Sequence, residues 1–246
     1  MSWLKSKLKE AYKYLKLNPF RFKPYYTYLH EFFNYTEREK VLYNIMDYAR
    51  SSKLEGDYLE FGLSEGSTFI PAFHFSQSMG KNLKKMRFIG FDSFEGLPSI
   101  RSLDKKGFKH FREGDYKFPY RSFVDRLKKS KVDLRKVHLV KGWFEKSLNE
   151  KTRNSLKLKK AAIIYIDCDL YESTVPILNF IKQFLQEGTV IIFDDWFCFR
   201  GDPNRGEKRA FKEWLKNNPG LMAIEFIRFG WGGNSFIMRK KNSKKV

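Results

Sequence analysis

Short apolar runs that stop abruptly at acidic residues recur along this chain. Ala161 to Ile166 is continuously apolar and ends at Asp167-Cys168-Asp169, and Thr189 to Phe193 ends in the same way at Asp194-Asp195. Runs of this kind predict strands buried on both faces of a parallel sheet, with the acids at the rim where α/β proteins build their sites. Asp57 to Phe61 and Met86 to Phe91 read alike, the first leading into Gly62-Leu63-Ser64-Glu65-Gly66-Ser67-Thr68 and the second into Asp92. Lys136 to Val140, ending in Lys141-Gly142-Trp143-Phe144, reads as one further strand.

Helical spacing alternates with these runs. Thr36 with Glu39 three residues on is a capping box ahead of Val41, Leu42, Ile45, Met46 and Ala49, which predicts a helix to about Ser52. Further helices are expected from Phe69, over Phe123 to Leu127, from Ser173 with Pro176 near the first turn, and over Ala210 to Leu215. Ala223 to Phe229 and Asn234 to Met238, joined by Gly230-Trp231-Gly232-Gly233, predict an antiparallel hairpin. The order of elements predicts an α/β fold: one seven-stranded, mostly parallel, Rossmann-like sheet with helices on both faces and the hairpin at the C-terminal end.

Two flanks and one loop stand outside this alternation. Ser2 to Leu17 spaces Trp3, Leu4, Leu8, Ala11, Tyr12 and Leu15 as a basic amphipathic helix, and an aromatic connector follows. The expected organisation is therefore an N-terminal segment 1–35, a main domain 36–240 and a basic tail 241–246. The N-terminal helix suits an anionic membrane surface, the main domain or a second subunit, and these alternatives stay open. Ser99 to Tyr120 has no period, carries Lys105, Lys106, Lys109, Arg112 and Lys117 among its basic residues, and reads as a mobile loop over the site.

Composition narrows the function classes. At 246 residues and 42% hydrophobic content the chain can bury a full core. Its formal charge of +20 favours anionic partners. It lacks both a long apolar run and the apolar centre of a signal peptide, and its two cysteines, Cys168 and Cys198, have no metal-binding spacing. A cytoplasmic protein with reduced thiols is expected, with peripheral contact at the inner membrane surface left open through residues 1–17.

The candidate chemistry follows from the strand ends. Asp167, Asp169, Asp194 and Asp195 at neighbouring strand ends would repel one another, which points to a hard cation, Mg²⁺ or another divalent ion. Gly62 and Gly66 between a strand and a helix N-terminus suit a nucleotide-like ligand. A dinucleotide fingerprint needs glycine where Ser64 stands, while Glu60 would attract a cation, so the turn favours S-adenosylmethionine over a pyrophosphate. Asp92, closing the second strand, suits ribose hydroxyls. Asp169 or His138 could take a proton from a reacting hydroxyl, Asp169 ahead of His138 because a lone histidine in a strand more often packs.

With those residues in view, the chain resembles the macrocin O-methyltransferase family. The resemblance rests on Leu59-Glu60-Phe61-Gly62 with Gly66-Ser67, on Gly90-Phe91-Asp92-Ser93-Phe94-Glu95-Gly96-Leu97-Pro98, on Lys141-Gly142-Trp143-Phe144, on Asp167-Cys168-Asp169-Leu170-Tyr171-Glu172-Ser173-Thr174 and on Asp194-Asp195. It covers about residues 36–238, with Cys168 where that family usually has glycine. It implies a class I methyltransferase fold, S-adenosylmethionine as donor and Mg²⁺. By position it implies Asp167, Asp194 and Asp195 as metal ligands and Asp169 as the general base or a group that supports those ligands, so that Asp169 and Asp167 are the catalytic candidates. Glu60, Gly62, Ser67 and Asp92 become donor-binding residues, with Ser64, Gly66, Ser93, Gly142 and Trp143 as further candidates in the same motifs.

The expected activity is methyl transfer to a sugar hydroxyl of a glycan or glycosylated metabolite, with an anionic or lipid-linked acceptor suited to the charge. Two other readings compete. A glycosyltransferase could use Asp167-Cys168-Asp169 as a metal-binding DxD, but that leaves the Glu60 to Ser67 turn and Asp194-Asp195 without a role. A nucleic-acid methyltransferase would suit the charge, but the chain lacks the Asn/Asp-Pro-Pro-aromatic motif of amine methylation, and its paired acids would repel phosphate.

Overall fold

The computed structural model describes residues 35–100, 104–105 and 111–241. The N-terminal helix, its connector and most of the basic tail lie outside the described residues. From Glu37 onward the chain forms one compact unit. Its strands are β1 (Asp57–Phe61), β2 (Phe88–Asp92), β3 (Val137–Lys141), β4 (Ala161–Ile166), β5 (Val190–Phe193), β6 (Leu221–Phe229) and β7 (Gly233–Lys240). They form one sheet in the order β3-β2-β1-β4-β5-β7-β6, as the pattern of apolar runs predicts. The first five are parallel, while β7 is antiparallel to both β5 and β6.

The described helices are α1 (Glu37–Ser51), α2 (Phe69–Ser78), α3 (Tyr120–Lys129), α4 (Phe144–Ser147), α5 (Glu150–Leu156), α6 (Tyr171–Ile181) and α7 (Gly206–Lys216). The short α4 and α5 have too few apolar positions to show a period in the sequence. Helix α6 starts at Tyr171 rather than Ser173, so Pro176 sits inside it and removes the amide that would bond the Glu172 carbonyl. No described helix is long and apolar enough to cross a membrane.

Strands β4 and β5 are buried along their whole length, which explains their unbroken apolar runs. Much of the aromatic content lies in this core: Phe61 stacks on Phe91 at 4.6 Å, Tyr58 on Phe88 at 4.8 Å, and Phe193 meets Phe211 at 4.9 Å. Each fully buried ring contributes about 1.5–3 kcal/mol from burial. The register then sets the site. Phe61 pairs with Phe91 and Ile166, and Ile166 pairs with Phe193. The next residues, Gly62, Asp92, Asp167 and Asp194, therefore form a row along the carboxyl edge. The strand order reverses between β1 and β4, where a parallel sheet opens a crevice for ligands.

Candidate functional site

A cavity of about 390 Å³ opens over that row. Gly62, Ser64, Ser67, Asp92, Ser93, Gly142 and Trp143 line one part of it, and Asp167, Cys168, Asp169, Asp195 and Cys198 another. The turn after β1 requires its first glycine. At φ +86°, a Cβ on Gly62 would lie 1.8 Å from the carbonyl oxygen of Asp167, so β1 and β4 could not close together with any side chain there. Asp92 braces the same turn. Its Oδ2 accepts the amides of Leu63 (2.6 Å) and Ser64 (3.3 Å), and its Oδ1 accepts that of Phe94 (2.6 Å). The Phe94 ring is not part of the cavity lining and packs edge-on to Tyr120 at 5.0 Å.

Two expected donor-binding residues sit behind the cavity instead of lining it. Glu60 is fully buried, with one carboxyl oxygen bonded to the Tyr58 hydroxyl and the other accepting from Thr68 Oγ1 at 2.7 Å. Burial pushes its pKa up to about 8 against the opposing effect of those two hydroxyls. Glu60 thus anchors the end of the glycine turn from below. Gly66, at φ +83°, packs against the Phe123 ring and Ile70 and shapes the turn rather than touching the cavity. His138 pairs opposite Ile89 within β3 and is not part of the lining.

The acidic half is crowded. One carboxylate oxygen from each of Asp167, Asp194 and Asp195 lies within 4.8 Å of the others. Asp194 is the most heavily engaged: Arg38 Nε donates to Oδ1 at 2.9 Å, Arg38 Nη2 bonds Oδ2, and the Tyr165 hydroxyl donates to Oδ1 at 2.6 Å. Asp195 Oδ1 accepts from Cys198 Sγ at 3.2 Å, while its backbone amide donates to Glu207 Oε2 at 3.0 Å. Two buried oxygens, Asp195 Oδ2 and Glu207 Oε1, have no hydrogen-bond partner among the described residues. Burial, then repulsion from Asp194, raises Asp195 to about 6. Burial pushes Asp167, Asp169 and Glu207 well above the carboxyl range, with neighbouring acids adding to it. Asp195 Oδ2, a partnerless buried oxygen in the all-oxygen set of Asp167, Asp194 and Asp195, fits a divalent cation, although both Asp194 oxygens already accept from Arg38 or Tyr165.

Asp169 stands in a strained turn. Its φ is +63°, and the Leu170 amide reaches back across it to the Cys168 carbonyl at 2.6 Å. Left-handed backbone at a non-glycine residue concentrates at functional sites. This turn is held from outside by Asp104, in the loop expected to be mobile. Asp104 is buried, and its carboxylate accepts the Tyr171 amide at 2.6 Å and the Gly206 amide at 3.1 Å, the first residues of α6 and α7. One side chain therefore caps two helices beside the cluster.

Arg38, Asp104 and Glu207 have no site signal in the sequence. Arg38 looks like a helix-surface charge, Asp104 lies in a basic loop, and Glu207 ends a polar stretch. Only the fold brings them to the acids.

Comparison with known proteins adds four findings. The family model for macrocin-O-methyltransferase (TylF) matches residues 35–225. The 8-demethyl-8-(2,3-dimethoxy-alpha-L-rhamnosyl)-tetracenomycin-C 4'-O-methyltransferase of Streptomyces olivaceus is 26% identical over 145 residues, covering 57% of this chain and 53% of that protein. The match thus spans about half the length of that relative. The solved O-methyltransferase NovP is similar in fold with a TM-score of 0.64 at 18% identity, covering 82% of this chain and 79% of its own. CalS11, a calicheamicin methyltransferase, gives 0.63 at 21% identity over 80% of this chain and 77% of its own.

Proposed function

The chain belongs to the macrocin-O-methyltransferase (TylF) family, and from that premise we propose that it transfers a methyl group from S-adenosylmethionine to a sugar hydroxyl, with a divalent cation at the acidic cluster. The observation that carries this reading is that the glycine turn after β1 and the acids after β4 and β5 open into one cavity. The turn, with Ser64, Ser67, Asp92, Ser93, Gly142 and Trp143, would receive the donor. The name of the Streptomyces olivaceus relative, and that of CalS11 as a TDP-rhamnose 3'-O-methyltransferase, support a sugar-bearing acceptor.

The reaction is an in-line displacement. The acceptor oxygen forms a bond to the methyl carbon while the carbon–sulfur bond breaks, its electron pair stays on sulfur, and the hydroxyl proton must leave. The chain's contribution is to hold donor and acceptor about 3–3.5 Å apart in line and to supply a base. Asp169 fits that role, because it lines the cavity and burial raises its affinity for a proton. A divalent cation held by Asp167, Asp194 and Asp195 would lower the pKa of the acceptor hydroxyl and offset the negative charge of the cluster.

Calorimetric titration with S-adenosylmethionine and S-adenosylhomocysteine, each with and without Mg²⁺, tests the donor, and micromolar binding of both is expected. Asp167→Ala should lower turnover at least about a thousandfold while leaving S-adenosylhomocysteine affinity within about twofold. Equal loss of donor binding would assign Asp167 to the donor site or to the fold. No donor binding under any condition would overturn the methyltransferase reading.

A further inference from the structure

Two aromatic side chains at the cavity take no part in the chemistry above. Trp231, in the β6–β7 turn, is 73% exposed, and Tyr116 is 59% exposed, the two largest values among the exposed large hydrophobic side chains described. Both line the same cavity as Asp167, Asp169 and Asp195. Exposed ring faces that line one cavity are available to the C–H face of a ligand. We infer that Trp231 and Tyr116 form an aromatic clamp that takes the C–H face of the acceptor's sugar ring, an assignment that rests on the methyltransferase reading.

Both rings stand on anchored backbone. The carbonyl of Gly232, next to Trp231, accepts the Phe197 amide at 2.9 Å, and a Cβ on Gly232 would lie 3.0 Å from the carbonyl oxygen of Asp194. The turn that carries Trp231 is therefore packed on the backbone of the acidic cluster. Tyr116 follows Asp115, whose carbonyl accepts the Leu97 amide at 2.9 Å, while the Gly114 amide donates to the Leu97 carbonyl at 2.9 Å. Gly96 permits this pairing, since a Cβ there would lie 2.5 Å from the Gly114 carbonyl oxygen. The Tyr116 hydroxyl is held above its ordinary pKa, by burial first and then by Asp169 and Asp195, which agrees with its place beside the acids.

Geometry separates this clamp from the donor half. Trp143 follows β3 and Trp231 precedes β7, five strand spacings apart in the sheet, or roughly 24 Å. A pyranose ring presents C–H bonds on a face and hydroxyls at its edge. Laid between the rings, it directs that edge toward Asp167, Asp169 and Asp195.

Indole N–H resonances of ¹⁵N-labelled protein test the clamp. The chain has five tryptophans, and Trp231→Ala and Trp143→Phe identify the two resonances that matter. With Mg²⁺ present, S-adenosylhomocysteine is added first, and then methyl α-L-rhamnopyranoside, methyl α-D-glucopyranoside or catechol, with glycerol as control. The expected result is that the donor analogue moves the Trp143 signal and a glycoside then moves the Trp231 signal saturably. With that glycoside as acceptor, Trp231→Ala and Tyr116→Ala should each raise KM about tenfold, the size of one stacking contact, with Tyr116→Phe close to wild type. Donor-induced shifts with no glycoside effect on Trp231, a response to catechol alone, or an unchanged KM in Trp231→Ala would each overturn the clamp and leave the donor reading standing. No response to S-adenosylhomocysteine would overturn both.

Discussion

Glu60 and Asp195 hold their protons above the ordinary carboxyl range because each is buried near other acids. A carboxyl whose pKa is raised in the folded state binds its proton more tightly there than in the unfolded chain. Its contribution to stability is therefore complete below the unfolded value near 4, and is lost as pH rises through about 6 for Asp195 and about 8 for Glu60. For Asp195 the shift corresponds to an upper bound of about 3 kcal/mol. The metal-free protein should melt at progressively lower temperature from about pH 5 to about pH 8, against the usual trend of paired surface carboxylates such as Asp133, whose lowered pKa contributes stability only above acid pH. Saturating Mg²⁺ should raise the melting temperature most at the alkaline end, because a bound cation favours the ionised carboxylates. Melting curves across that range with Mg²⁺, Mn²⁺ and chelator check this, and a slope that no divalent ion alters would mean that the cluster holds no cation.

At the scale of elements, Asp104 joins the starts of α6 and α7, and with them the turn of Asp169 and the backbone beside Asp195. Asp104→Ala removes one acceptor from two helix N-termini and should cost about 2 kcal/mol, or roughly 4–8 °C in Tm. Asp104→Asn keeps an acceptor oxygen and should lose less. Differential scanning calorimetry of the three proteins decides it, and an unchanged Tm in Asp104→Ala would show that water replaces the carboxylate at both ends. This residue also marks the limit of what could be read from the chain. Strands β4 and β5 and their acidic ends were legible because burial on both faces demands unbroken apolar runs, and because the parallel register carries each run's last residue to one edge. Asp104, Arg38 and Glu207 were not, since each is polar within polar surroundings and becomes buried or paired only when distant elements meet. The start of α6 was misjudged for the same reason. Its first amide is satisfied by Asp104, 67 residues away, and not by a local capping side chain.

On the scale of the whole molecule, two electrostatic regimes meet at the cavity. The chain carries a formal charge of +20, yet the cavity lining gathers Asp167, Asp169 and Asp195, with Arg38 paired to Asp194 and Glu207 bonded to the Asp195 amide. Beyond a Debye length of about 8 Å at physiological salt, an approaching ligand responds to the net positive field, while within that distance it meets the carboxylates. An acceptor suited to both carries its negative charge away from the hydroxyl to be methylated, so that the anionic end stays at the rim while the neutral ring enters. A nucleotide-linked sugar fits this description, and so does a phosphate-linked lipid sugar. With a nucleotide-linked sugar as acceptor, kcat/KM should fall as salt rises from low to physiological strength, and most of the fall should lie in KM because screening slows association rather than chemistry. With a neutral methyl glycoside over the same salt series kcat/KM should stay flat, which separates steering from any effect of salt on the divalent cation or the fold. Parallel salt slopes for the two acceptors would place the response in the site itself and leave the surface charge without a role in choosing the acceptor.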